Sequence, residues 1–135
     1  MTMLKGKVIT KKPNEDLKVV EVDFDTTNTL KFLQEQVEGY IEVFRLPNEI
    51  DVWLNEEGKL EELEPNVALV SHGQVFDFLV GNLVFASSDN DGNTIPLNED
   101  QLFYIQNHLL SMGVVRNVDN SIVLPFIDVK RGGQR

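Results

Sequence analysis

Apolar and polar positions alternate from Leu17 to Phe24, with Leu17 and Val19 on one side and Val20 and Val22 on the other. A period of two predicts a strand, and Val8–Ile9 predicts an earlier one across a turn at Lys12–Asp16. The pattern then changes. Leu30, Leu33 and Val37 recur at three and four residues behind Asp25, Thr26, Thr27 and Asn28, whose side chains can cap a helix. Gly39 is expected to stop that helix in the left-handed conformation. Tyr40–Leu46 and Ile50–Leu54 read as strands. Asn55-Glu56-Glu57-Gly58 suits a type I turn with Gly58 left-handed, closing a hairpin onto Lys59–Leu63. Asn66–Leu69 reads as a helical turn. Leu79–Ala86 reads as one apolar strand in which Gly81 marks a bulge or a close approach. Asn98 and Gln101 have capping-box spacing, and Leu97 and Leu102 form a staple. Leu102, Ile105 and Leu109 supply the buried stripe of this helix, which Gly113 ends. Val114–Val118 and Ile122–Val129 are expected to pair around Asp119-Asn120.

Short connections between successive strands favour hairpins over parallel crossovers. The expected class is therefore α+β, a mainly antiparallel sheet of hairpins with two helices packed on it. The 135 residues fit a single domain, 1–135. Residues 1–16 are expected to form an N-terminal arm and strand, and residues 129–135 a flexible tail.

Charge narrows the range of partners. Asp and Glu number 22 against 12 Lys and Arg, a net charge of −10. Phosphate backbones call for a basic face, so direct nucleic-acid binding is not expected. Lys130, Arg131 and Arg135 are confined to the glycine-containing tail. The longest apolar run is far shorter than the roughly 20 residues of a membrane helix, so no membrane association is expected. With no cysteine, there is no disulfide, thiolate metal site or cysteine nucleophile. A cytoplasmic protein is expected.

Motifs for chemistry are sparse. Ser87–Asn93 resembles half of a calcium loop, but Ser87 and Asn98 stand where carboxylates are required. His72 and His108 lie outside any metal-binding motif. No phosphate loop or nucleophile elbow occurs. No catalytic residue, metal site or cofactor is assigned. Trp53 alternates with Val52 and Leu54, so it faces outward if they face the core. It would then be an aromatic anchor beside the carboxylates of Glu56 and Glu57.

Gly39-Tyr40-Ile41-Glu42, Asn55 to Leu60, Pro65-Asn66, Val80 to Val84 and the capped helix with Glu99 and Gln101 resemble a family known as domain of unknown function 3846. The resemblance spans about Val19 to Leu110. It implies a short accessory protein of phages, plasmids or other mobile elements, acting in a bacterial cytoplasm, and it carries no activity. Gly39 and Gly58 have backbone reasons for their positions, and Asn55 can cap its own turn. Tyr40, Glu42 and Asn66 have no local reason. With Trp53, Glu56 and Glu57 they form the candidate binding set. The expected function is non-enzymatic binding of a host or phage protein with a basic surface, including inhibition of it. A homodimer is compatible with this reading. The alternative is a small-ligand-binding protein or enzyme with a pocket near Tyr40, Glu42, Asn66 and His72.

Overall fold

Val8 and Ile9 sit in β1 (Lys5–Lys11), which pairs antiparallel with β2 (Lys18–Asp23), as their alternation requires. The computed structural model describes residues 5–116 and 121–129. Helix α1 (Thr26–Val37) starts on Asp25, whose carboxylate accepts from the Asn28 amide. β3 (Ile41–Leu46) and β4 (Ile50–Asn55) form a hairpin. β5 (Pro65–Ser71) and β6 (Gln74–Val80) form another, followed by β7 (Leu83–Ser88) and the short β8 (Thr94–Ile95). Helix α2 (Glu99–Tyr104) continues as a π-helical turn, Ile105–Leu109. β9 (Ser111–Arg116) and β10 (Ser121–Asp128) complete the order.

The fold is α+β and mainly antiparallel, with the strands divided between two sheets. One runs β2-β1-β7-β4-β3, with β8 beside β7; the other runs β6-β5-β10-β9. Among the described residues, only the β5–β10 pair is parallel. Register fixes the layers. Ile9 opposes Phe85, and Phe85 opposes Val52, so the three share the face turned toward the second sheet. With Leu69, Leu79 and Ile127 they form the main core, which α2 completes with Leu102 and the π-helical turn with Ile105 and Leu109. The opposite face carries Val8, Val84 and Ala86, with Val22 and Leu33, in a smaller core beneath α1.

Several expectations need correction. Lys59–Leu63 is a run of turns rather than a strand, held by hydrogen bonds from the Glu61 amide to Glu57 O and from the Leu63 amide to Gly58 O. Asn66–Leu69 is strand, because Val67 and Leu69 alternate into the core. Leu79–Ala86 is broken at Gly81-Asn82 into β6 and β7, which lie in different sheets. Gly81 has a φ of +76°, and a Cβ there would come within 2.8 Å of Leu63 Cδ1. Only glycine meets both conditions. The left-handed cap of α1 is Glu38, with a φ of 63°. A Cβ at Gly39 would come within 2.7 Å of Asn55 Nδ2, and one at Gly58 within 2.8 Å of Val80 Cγ2, so close packing favours glycine at both. The second helix ends at Leu109, before Gly113, which lies in β9. Asp119-Asn120, Lys130, Arg131 and Arg135 lie outside the described residues.

Candidate functional site

Strand parity places Lys11 on the face of Ile9, pointing between the sheets, with only 5% of it exposed. Its ammonium donates to Asn66 Oδ1 at 2.7 Å. Asn66 Nδ2 in turn donates to the carbonyls of Lys11 and Gly81, at 2.8 Å each. These two bonds fix the amide so that its oxygen faces the amine. Burial pushes the Lys11 pKa down, opposed by the nearby carboxylates of Asp16 and Glu15. Among the described residues, neither carboxylate reaches it as an ion pair.

Lys11 forms part of a cleft of about 550 Å³ where the two sheets diverge. One wall is the β1–β2 turn, with Glu15, Asp16 and Leu17; the other is Met112, Val123 and Pro125. Gln106 and Leu110 close the end. Val123 and Pro125 share the strand face of Ile127, a core residue, so this wall continues the inter-sheet face. Here that face is uncovered: Met112 is 65% exposed and Val123 62%. The cleft therefore combines an apolar wall, an acidic rim formed by two exposed carboxylates, and a buried amine.

The candidate residues read from the sequence are spread across the molecule. Asn66 is completely buried and spends its side chain on the contacts above. Tyr40 is exposed beside a shallow depression under α1. Glu42 and Glu56 border a small groove of about 150 Å³ near the Lys59–Asp77 ion pair. That pairing with Lys59 holds the Asp77 carboxyl below its ordinary range. Glu57 is exposed, and its amide is held by Asn55 Oδ1 at 2.7 Å. Asn55 caps its own turn as expected, and its Nδ2 also donates to Val37 O, a terminal carbonyl of α1. Trp53 faces away from Val52 and Leu54, but α1 covers that face, so the ring is half-buried against the smaller core. His72 lies at the β5–β6 turn, with a φ of 54°. No described cleft gathers two of Tyr40, Glu42, Asn66 and His72.

Within Ser87–Asn93, Asp89 Oδ1 accepts from the amides of Asp91 and Asn93, both at 2.9 Å. These bonds hold its carboxyl below the ordinary range, with those from Asn93 contributing most. Among the described residues, no three His, Asp or Glu side chains form a metal-binding group. No described helix is long and apolar enough to cross a membrane.

The architecture is that of a two-sheet α+β domain with an inter-sheet cleft at one edge. The chain belongs to the family described as Domain of unknown function (DUF3846), whose profile matches residues 5–110. No curated protein and no solved structure matches it. The match includes β1, the N-terminal arm that the sequence resemblance left out, and stops immediately before β9. One cleft wall therefore lies within the family region and the other beyond it. Sequence reasoning passed over Lys11 and the cleft. The available signal was parity, since Lys11 stands two residues after the core residue Ile9.

Proposed function

We propose that this protein is a non-enzymatic accessory module of a bacterial mobile element that binds a protein partner through the inter-sheet cleft. The observation carrying this reading is the exposure of Met112 and Val123 on a wall continuous with the core. Apolar side chains left open in a concave site are suited to an apolar anchor from a partner. Glu15 and Asp16 on the rim, and the net charge of −10, favour a basic residue beside that anchor. The fitting partner segment is thus apolar and flanked by lysine or arginine.

Site-specific photocrosslinking in the bacterial host tests this reading. A crosslinker at Val123 should capture one defined partner, whereas one at Lys31, exposed on α1, should not. Met112→Asp should abolish capture while leaving the melting temperature within error. Equal capture from both positions, or capture insensitive to Met112→Asp, would reject the cleft as the interface.

A further inference from the structure

Lys11 and the acidic rim face each other across the inter-sheet cleft without meeting. An ammonium offers three donors. Among the described residues, Lys11 Nζ has two acceptors within reach, Asn66 Oδ1 at 2.7 Å and Lys12 O at 3.5 Å, and both are uncharged. The second is too distant for a strong hydrogen bond, so the amine keeps donor capacity to spare. Asp16 and Glu15 are near enough to favour its charged form, yet among the described residues neither closes an ion pair with it. Both carboxylates line the cleft together with Lys11, which sets the amine on the cleft side of β1. A buried charge without a counterion is costly. Burial accordingly holds the Lys11 pKa below its ordinary value.

We propose that the cleft receives the C-terminus of the partner protein: the terminal carboxylate on the Lys11 ammonium, the apolar last side chain against Met112 and Val123, and a basic side chain just upstream on Glu15 and Asp16. This rests on the cleft being the partner interface, and it names the part of the partner that enters. A terminal residue carries a carboxylate and a side chain on one Cα, and the cleft presents an amine and an apolar wall side by side. Gln106 and Leu110 close the end of the cleft, which suits a chain that stops there over one that passes through. The carboxylate gives the buried ammonium its missing counterion through a charge-assisted hydrogen bond. The upstream cation answers the rim, so the acidic surface steers the segment in and does not repel it. Capture of a C-terminal carboxylate is a recurrent mode of peptide recognition. The volume of about 550 Å³ exceeds a single amino acid and favours a peptide end over a free one.

Calorimetry of the whole chain with model peptides tests the proposal. The probes are acetyl-Ala-Arg-Ala-Leu with a free carboxylate, its C-terminal carboxamide, a version with Glu in place of Arg, and free leucine. The free acid should bind about tenfold tighter than the carboxamide, the worth of one charge-assisted hydrogen bond. The Glu version should bind more weakly than the Arg version, and free leucine more weakly than either. Lys11→Met should erase the preference for acid over amide. Glu15→Gln with Asp16→Asn, at exposed positions, should erase the preference for Arg over Glu whether or not Lys11→Met folds. In wild-type protein carrying ¹³C-labelled lysine, the free acid should move the Lys11 Cε resonance and the carboxamide should not. Equal binding of acid and amide, both lost in Met112→Asp, would overturn the proposal and keep the cleft as an interface. Binding of neither peptide, while Val123 crosslinks still form, would do the same. Free leucine binding as tightly as the peptide acid would overturn it in favour of an amino-acid site. An unmoved Lys11 resonance, or an acid preference that survives in folded Lys11→Met, would overturn it as well. Failure of the Val123 crosslinks would instead remove the interface on which it rests.

Discussion

Lys11 and Asn66 bind each other twice, side chain to side chain at 2.7 Å and side chain to backbone at 2.8 Å. The two residues are 55 positions apart and belong to different sheets. Their pairing links β1 to β5 at the point where the sheets begin to part. The third bond, from Asn66 to Gly81 O, brings in the connection between β6 and β7.

Asn66→Ala removes three contacts at a site with no exposure. Two buried carbonyls and an amine lose a partner. Unpaired buried groups cost about 1–3 kcal/mol each, so a total loss of about 3 kcal/mol or more is expected. Urea unfolding measures it, and a loss below about 1 kcal/mol would contradict the buried network.

The Lys11 amine gives a pH signature. Its pKa is lowered from the ordinary 10.5 by burial. Below the folded-state value, the amine is charged in both states and the fold bears the full desolvation cost. Between that value and 10.5, the unfolded chain holds more protons, so stability rises with pH. The stability of the wild type relative to Lys11→Met should therefore increase as pH is raised toward 10.5. A flat difference in parallel denaturation series would argue against a strained ammonium.

Asn98 and Gln101 form a complete capping box, with bonds of 2.8 and 2.9 Å. Asn98→Ala should cost about 0.5–2 kcal/mol. Gln101→Ala should cost more, because Gln101 Nε2 also donates to Asn48 O and Ser87 Oγ. Thermal melts of the two variants give the order, and the reverse order would assign the cap the larger role.

Gly73 and Gly81 share a positive φ, +79° and +76°, but differ in their surroundings. An added methyl at Gly73 meets open space, whereas at Gly81 it meets Leu63. Gly73→Ala should cost about 1 kcal/mol from backbone conformation alone. Gly81→Ala should cost clearly more, and Leu63→Ala in the same chain should recover part of the difference. Equal losses would leave no role for the Leu63 contact.

Local chemistry was well written in the sequence. Asp25, Asn98 and Gln101 announce helix starts through groups that bond within three residues. The β1–β2 pairing follows from alternation around a short turn, whereas the hairpin expected between Ile50–Leu54 and Lys59–Leu63 forms instead between β3 and β4. Long-range partners were hidden. Asn66 looked like a functional residue because its acceptors, Lys11 O and Gly81 O, lie in other parts of the chain. Gly39 and Gly58 looked like left-handed turns, yet their small size answers neighbours brought in from β4 and β6. Parity correctly separated Trp53 from Val52 and Leu54, but a single strand does not show that a helix covers its second face. Two sheets instead of one followed from the break at Gly81-Asn82, where a continuous apolar run concealed a change of layer.

The parallel seam between β5 and β10 joins Ala68 to Phe126 and Val70 to Asp128. It has a consequence for assembly. β10 lies outside the family-matched segment, so a chain truncated after Leu110 would leave the peptide groups of Ala68–Val70 without their cis partner. An open edge of this kind recruits a strand from whatever supplies one. In the 135-residue chain that vacancy is filled intramolecularly; in the truncated form the same edge would become an adhesive one, and polymerisation through strand donation the expected behaviour.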